Sequence, residues 1–101
     1  MDQTDYCDEE IICVKTHKHD KLLNLPNTLK SLIVEDNFNN GLLDLPDALE
    51  SLTFGEQFNQ PVDSLPKNLI TLIFGFFFDR SVDNLPKTLK NLIFGYKFNQ
   101  L

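Results

Sequence analysis

Four side chains near the start of the chain have the chemistry of soft ligands: Cys7, Cys13, His17 and His19, in the order C-x5-C-x3-H-x-H. Thiolates and imidazoles are the usual ligands of structural zinc, and a thiol beside an imidazole can act as a nucleophile. The spacing argues against both uses. Zinc sites place their cysteines two to four residues apart and their histidines three to five apart, across a longer interval. No third group that would orient a Cys–His pair, and no oxyanion-forming turn, is identifiable. Asp8, Glu9 and Glu10 sit side by side in a polar stretch and read as solvated surface, not as an acid–base pair. Gly-rich phosphate loops, zincin motifs and hydrolase elbows do not occur. The expectation is a chain that is not an enzyme and takes no metal or cofactor.

Bulk properties narrow the class further. A hydrophobic content of 42% beside 24% charged residues suits a folded chain of 101 residues, either one small domain or one short repeat array. The formal charge of −6 is concentrated at the start, where Asp2, Asp5, Asp8, Glu9, Glu10 and Asp20 face only Lys15 and Lys18. An acidic chain without a basic stripe repels phosphate backbones, so nucleic acid is not an expected partner. The N-terminus has no basic region followed by an apolar run, and no stretch is apolar enough to span a membrane. An intracellular, cytoplasmic location follows as an expectation, with Cys7 and Cys13 as free thiols.

The elements that would position any site emerge from internal repetition. Leu-Pro occurs at 25–26, 45–46, 65–66 and 85–86, always twenty residues apart. Below it run the columns Leu29/Leu49/Leu69/Leu89, Leu32/Leu52/Leu72/Leu92 and Val34/Phe54/Phe74/Phe94. Then come Glu35/Gly55/Gly75/Gly95, Phe38/Phe58/Phe78/Phe98 and Asn39/Asn59/Asp79/Asn99. An aliphatic residue, Leu42, Val62 or Val82, closes each full unit. Upstream, Ile12, Val14 and Leu22 fall in the columns of Leu32, Val34 and Leu42, which leaves Cys13 facing outward. Residues 1–24 therefore read as a degenerate acidic cap, followed by repeats at 25–44, 45–64, 65–84 and a shortened 85–101.

Each unit has a physical reading. Leu72 and Phe74 point inward while Thr71 and Ile73 point outward, which is the alternation of a short strand. Strands recurring in one direction stack as a parallel sheet about 4.8 Å apart. The glycines are expected to end the strands with a positive φ that turns a corner. Pro66 and its equivalents make the Asp-x-Leu-Pro return a turn or short 3-10 segment. Twenty residues leave no room for a strand plus a long helix, so each coil is strand, corner, irregular return, corner. One coil alone buries too little to offset its ordering entropy, and stacking supplies the rest.

The columns Leu-Pro-x-x-Leu-x-x-Leu-x-Phe-Gly-x-x-Phe-Asn resemble the FNIP repeat, named for its Phe-Asn-Ile-Pro tetrad and related to leucine-rich repeats. The tetrads here are FNNG (38–41), FNQP (58–61), FDRS (78–81) and FNQL (98–101), and Val34-Glu35 replaces Phe-Gly in the first repeat. The resemblance covers residues 25–101. It implies a mainly β, leucine-rich-repeat-like right-handed solenoid for protein–protein contact, with no catalytic residues, of the kind found in social amoebae and giant amoeba viruses. Host-cell cytoplasm is the implied location for a viral member. Some members join the repeats to an F-box and serve ubiquitin ligases; the 24 residues before the repeats are too few for that domain, so the adaptor role is an alternative that needs a partner.

The residues expected to meet a protein partner are the outward strand column Ile33, Thr53, Ile73 and Ile93, with Phe76, Phe77 and Tyr96 beyond the strand ends. Phe76 and Phe77 depart from columns otherwise held mostly by polar residues (Asp36 and Glu56; Asn37, Gln57 and Lys97), and an exposed apolar patch marks an interaction site. The competing reading is that β-branched residues suit strands and that the rings fold over a corner. The asparagine column reads as a structural ladder, with Asp79 as its weakest rung because a carboxylate cannot donate. Leu89, Leu92, Phe94 and Phe98 form a last coil with an unpaired edge, so self-association by end stacking is also expected.

Overall fold

The computed structural model describes residues 25, 27–41 and 45–100 in full, and the backbone of 11–14. Five short strands, β1 (Ile11–Val14), β2 (Ser31–Val34), β3 (Ser51–Thr53), β4 (Thr71–Ile73) and β5 (Asn91–Ile93), form one parallel sheet in chain order. Each strand residue pairs with the residue twenty positions on: Leu32 with Leu52, Leu52 with Leu72, Leu72 with Leu92. The backbone of β1 joins in the same register, Ile12 beside Leu32 and Val14 beside Val34. The reading of 1–24 as a cap otherwise lies outside the described residues.

The alternation sets the core. Leu32, Leu52 and Leu72 are buried, while Ser51 and Thr53, or Thr71 and Ile73, flank them half-exposed. Main-chain bonds between coils extend past the strands: Glu50 and Ser51 N–H both donate to Lys30 O (2.8 and 3.0 Å). Ile70 and Thr71 repeat this on Glu50 O, and Lys90 and Asn91 on Ile70 O. Directional bonds therefore recur at every coil, and they hold neighbouring side chains of one column directly over each other.

Two phenylalanine columns fill the space behind the sheet. Phe38, Phe58, Phe78 and Phe98 stack at 6.1 Å between successive centroids, with rings within 7° of parallel. Phe54, Phe74 and Phe94 stack beside them at 5.7 and 5.5 Å. Within a coil the columns touch, with Phe54 3.9 Å from Phe58 and Phe74 3.8 Å from Phe78. Centroid separations larger than the coil rise indicate slipped rings, the geometry that aromatic quadrupoles favour. The opening of the chain's fourth repeat breaks the pattern of burial: Leu92 is 39% exposed where Leu72 is fully buried, since no coil lies over it among the described residues.

The Leu-Pro returns form isolated turns, one of the two expected forms, with Pro46 O accepting from Leu49 N–H at 3.2 Å and Pro66 O from Leu69 N–H at 3.4 Å. No 3-10 helix develops among the described residues, because the next residues must extend into a strand. Two details differ from the sequence reading. The corner glycines do not have positive φ. They are needed because coils approach backbone to backbone: a Cβ on Gly55 would lie 2.5 Å from Glu35 O and Asp36 Cα, and one on Gly75 would strike the Gly55 carbonyl.

The second difference is the Asp79 rung. Asn59 N–H donates to Asn39 Oδ1 (2.7 Å), Asp79 N–H to Asn59 Oδ1 (2.9 Å), and Asn99 N–H to Asp79 Oδ1 (3.0 Å). The ladder asks each side chain only to accept, so a carboxylate serves as well as an amide, and its charge strengthens the bond. Gln100 Nε2 adds a second donor to Asp79 Oδ1 at 3.0 Å. That bond, then the Asn99 N–H, then nearby Arg80, holds the Asp79 carboxyl below its ordinary pKa against a small opposing effect of burial.

Candidate interaction surface

Beyond each strand the chain makes a tight corner. Phe38 N–H donates to Glu35 O (3.2 Å) in the first full coil, and Phe98 N–H to Gly95 O (3.4 Å) in the last. The two residues between, 36–37 and their equivalents, are at the tip with side chains in solvent. The tips stack through their own main-chain bonds: Gln57 N–H to Asp36 O (2.9 Å), Phe77 N–H to Glu56 O (3.1 Å), Lys97 N–H to Phe76 O (3.0 Å). Asp36, Glu56, Phe76 and Tyr96 therefore form one exposed row along the solenoid, with Asn37, Gln57, Phe77 and Lys97 beside it.

Polar residues are the natural occupants of such a row, and the last two rungs are aromatic instead. Phe76 and Phe77 are each 39% exposed and Tyr96 is 80% exposed. The Phe76 and Tyr96 rings stack at 5.4 Å and 10°, and Phe77 meets Phe76 edge-on at 4.8 Å. Lys97 Nζ lies 5.9 Å from the Tyr96 centroid, at the outer limit of a cation–π contact. Their partial cover is mutual, so the rings stay at the surface instead of folding into the core.

The outward strand column is a separate feature. Ile33, Thr53, Ile73 and Ile93 occupy one register. Ile33 and Ile93 are exposed, whereas Thr53 and Ile73 are half-buried between their neighbours. Asn91 Nδ2 donates to Thr71 Oγ1 (3.2 Å), and Lys30 pairs with Glu50 (3.5 Å) on the preceding coils. Ring contact joins the three corner residues to one another.

One concave feature was not anticipated. A shallow open groove follows the return segments, with Leu45, Leu65, Pro46 and Pro66 as its floor and Asp63 and Lys67 at its rim. The Leu-Pro columns were its signal, since an apolar pair recurs there at every coil. No group of three or more His, Cys, Asp or Glu residues is placed to hold a metal among the described residues. The side chains of Cys7, Cys13, His17 and His19, and the acids Asp8, Glu9 and Glu10, lie outside them. No helix among the described residues is long and apolar enough to cross a membrane.

The FNIP Repeat family profile matches residues 41–77, the stretch that holds the FNQP tetrad and two of the corner glycines. These residues match the FNIP repeat. The register that carries them continues through β5, so the FNIP pattern and the parallel sheet share one period. Among solved structures the coils are similar to CroV588 from a giant virus, described as a novel circular LRR protein, with a TM-score of 0.69 and 39% identity. The similarity covers 76% of this chain and 12% of CroV588, so the chain spans a small part of that protein's length. No curated protein matches the chain. The solenoid is thus leucine-rich-repeat-like, an architecture generally used for protein contact and typically without catalytic residues.

Proposed function

We propose that this chain binds another protein through its FNIP solenoid, without catalysing a reaction, and that the corner aromatics Phe76, Phe77 and Tyr96 are the centre of contact. The outward column Ile33, Thr53, Ile73 and Ile93 is a second contact surface in this reading. The observation that carries this reading is the exposure of three aromatic rings, Phe77 and Tyr96 each packed on Phe76, on a row whose other rungs are polar. Aromatic side chains supply large contact area at a small loss of conformational freedom, which is why they concentrate at binding centres. Neither packing nor the hydrogen-bond ladder requires them, since Asp36 and Glu56 hold the same position in equally formed corners.

The test is cross-linked capture of proteins from a lysate of the native cell, using the wild-type chain and a Phe76→Ser/Phe77→Ser double variant. Circular dichroism and a urea melt establish that the variant is folded. Loss of specifically captured proteins with the fold retained is the expected result. Unchanged capture overturns the assignment of the corner. A parallel Ile33→Ser/Ile93→Ser variant reports whether the strand column contributes.

A further inference from the structure

The corner row has a polarity that identifies the chemistry of its partner. Its first two rungs are acidic, Asp36 and Glu56, with Glu35 next to the first; its last two are Phe76 and Tyr96, with Lys97 at the far end. The Glu56 carboxylate makes no hydrogen bond or ion pair among the described residues. Asp36 uses Oδ1 to accept from Glu56 N–H (3.1 Å). A row that is anionic at one end and aromatic at the other fits a segment carrying a cation at one end and an apolar side chain at the other.

Spacing narrows the conformation of that segment. Two coil rises separate the Glu56 rung from the Tyr96 rung, about 9.6 Å at the usual strand separation of about 4.8 Å. A polyproline II helix rises about 3.1 Å per residue with three residues per turn, so residues i and i+3 share a face about 9.3 Å apart. A regular β-strand instead places residues i and i+3 on opposite faces. We infer that the Asp36–Tyr96 row binds a basic polyproline II segment, in which an Arg or Lys at the Glu56 rung lies three residues from an apolar residue packed on Tyr96 and Phe76. Lys97 fixes the direction by repelling a cation placed at the aromatic end. This rests on the proposed protein contact at the corner and specifies its partner.

Proline and the stems of basic side chains pack against ring edges and ridges as well as faces, and a preformed helix loses little freedom on binding.

The experiment uses the full 101-residue chain and fluorescein-labelled proline-rich peptides read by anisotropy. The first peptide has Arg three positions before Leu; the second has Glu in place of that Arg; the third keeps Arg and Leu with the prolines replaced by serine. The wild-type chain is expected to bind the first about fivefold or more tightly than either of the others. Glu56→Lys reverses the preference between the first two, and Tyr96→Ser weakens the first about fivefold. Equal binding of the Arg and Glu peptides, no peptide binding, indifference to Glu56→Lys, or binding of chitotetraose in place of peptide each overturns the inference. The lysate capture above separates the two readings: capture that needs Phe76 and Phe77 while the Arg and Glu peptides bind alike removes the basic segment and leaves protein contact standing.

Discussion

Replacing Gly75 by alanine is the sharpest test of how the coils are held together. The new methyl would fall on the Gly55 carbonyl and lie 3.0 Å from Glu56 Cα. Both obstacles are backbone, and no side chain can rotate out of the way. Relief requires the corner at 75–78 to move off the corner at 55–58 by about 1 Å, judged against an ordinary contact of about 3.5 Å or a little less. That stretches the Phe77 N–H to Glu56 O bond from 3.1 Å beyond useful length. Overpacking costs about 1–3 kcal/mol and the weakened bond about 0.5–1.5 kcal/mol, so the expected loss is about 2–4 kcal/mol. For a chain of this size that is a large share of total stability and shifts Tm by about 10–25 °C. Gly41→Ala is the control, because nothing lies within 4 Å of its Cβ position and its φ is not positive. It should be neutral or gain up to about 1 kcal/mol through the unfolded chain. Urea melts of both variants, read by circular dichroism, decide the matter. If Gly75→Ala loses no more than about 0.5 kcal/mol relative to Gly41→Ala, close backbone approach is not the reason for the glycine column.

Phe58→Ala should cost about 3–5 kcal/mol, since its fully buried ring stacks on Phe38, Phe54 and Phe78. Phe98→Ala should cost roughly half as much in the same urea assay, because Phe98 is half-buried and its ring stacks on two rings among the described residues, Phe78 and Phe94. Asp79 has a depressed folded-state pKa, so its contribution to stability is present above the unfolded value of about 3.9 and is lost as pH falls through the lower folded value. Asp79→Asn keeps an acceptor on the rung; its stability at neutral pH should change little while the acid limb of a pH–stability profile becomes shallower. Phe76→Ser/Phe77→Ser should lower stability by less than Phe58→Ala, with the difference in urea midpoint as the readout.

Much of this architecture was readable because one period governs every column. Leu32, Leu52 and Leu72 recur at the same offset from Leu-Pro, and in a stacked coil an equal offset means an equal position. The same rule separated Phe74 and Phe78, which entered the core, from Phe76 and Phe77, which did not. The rule says what is repeated and not why. Glycine at a corner admits two explanations, a positive φ or an absent Cβ, and only the position of the Gly55 carbonyl beside Gly75 distinguishes them. Likewise an asparagine column can donate or accept; the direction of the Asp79 N–H to Asn59 bond showed that acceptance is what matters, so aspartate is no defect. The corner site was legible as an irregularity, three aromatics in polar columns. Its geometry was not, because ring contact between Phe76 and Tyr96 depends on how closely two corners approach.

The main-chain pattern treats every coil alike: Ser51 N–H meets Lys30 O as Thr71 N–H meets Glu50 O. Excising 51–70 would seat Thr71 directly after Glu50, where it inherits the vacated bond to Lys30 and the sheet closes up one storey shorter. Removal of nineteen or twenty-one residues would instead leave the joining coil one residue too long or too short, and that coil must bulge or strain to keep its strand in register. Insertions and losses are therefore tolerated in whole storeys, and a gene encoding such a stack can lengthen or shorten by clean duplication without redesigning any single floor.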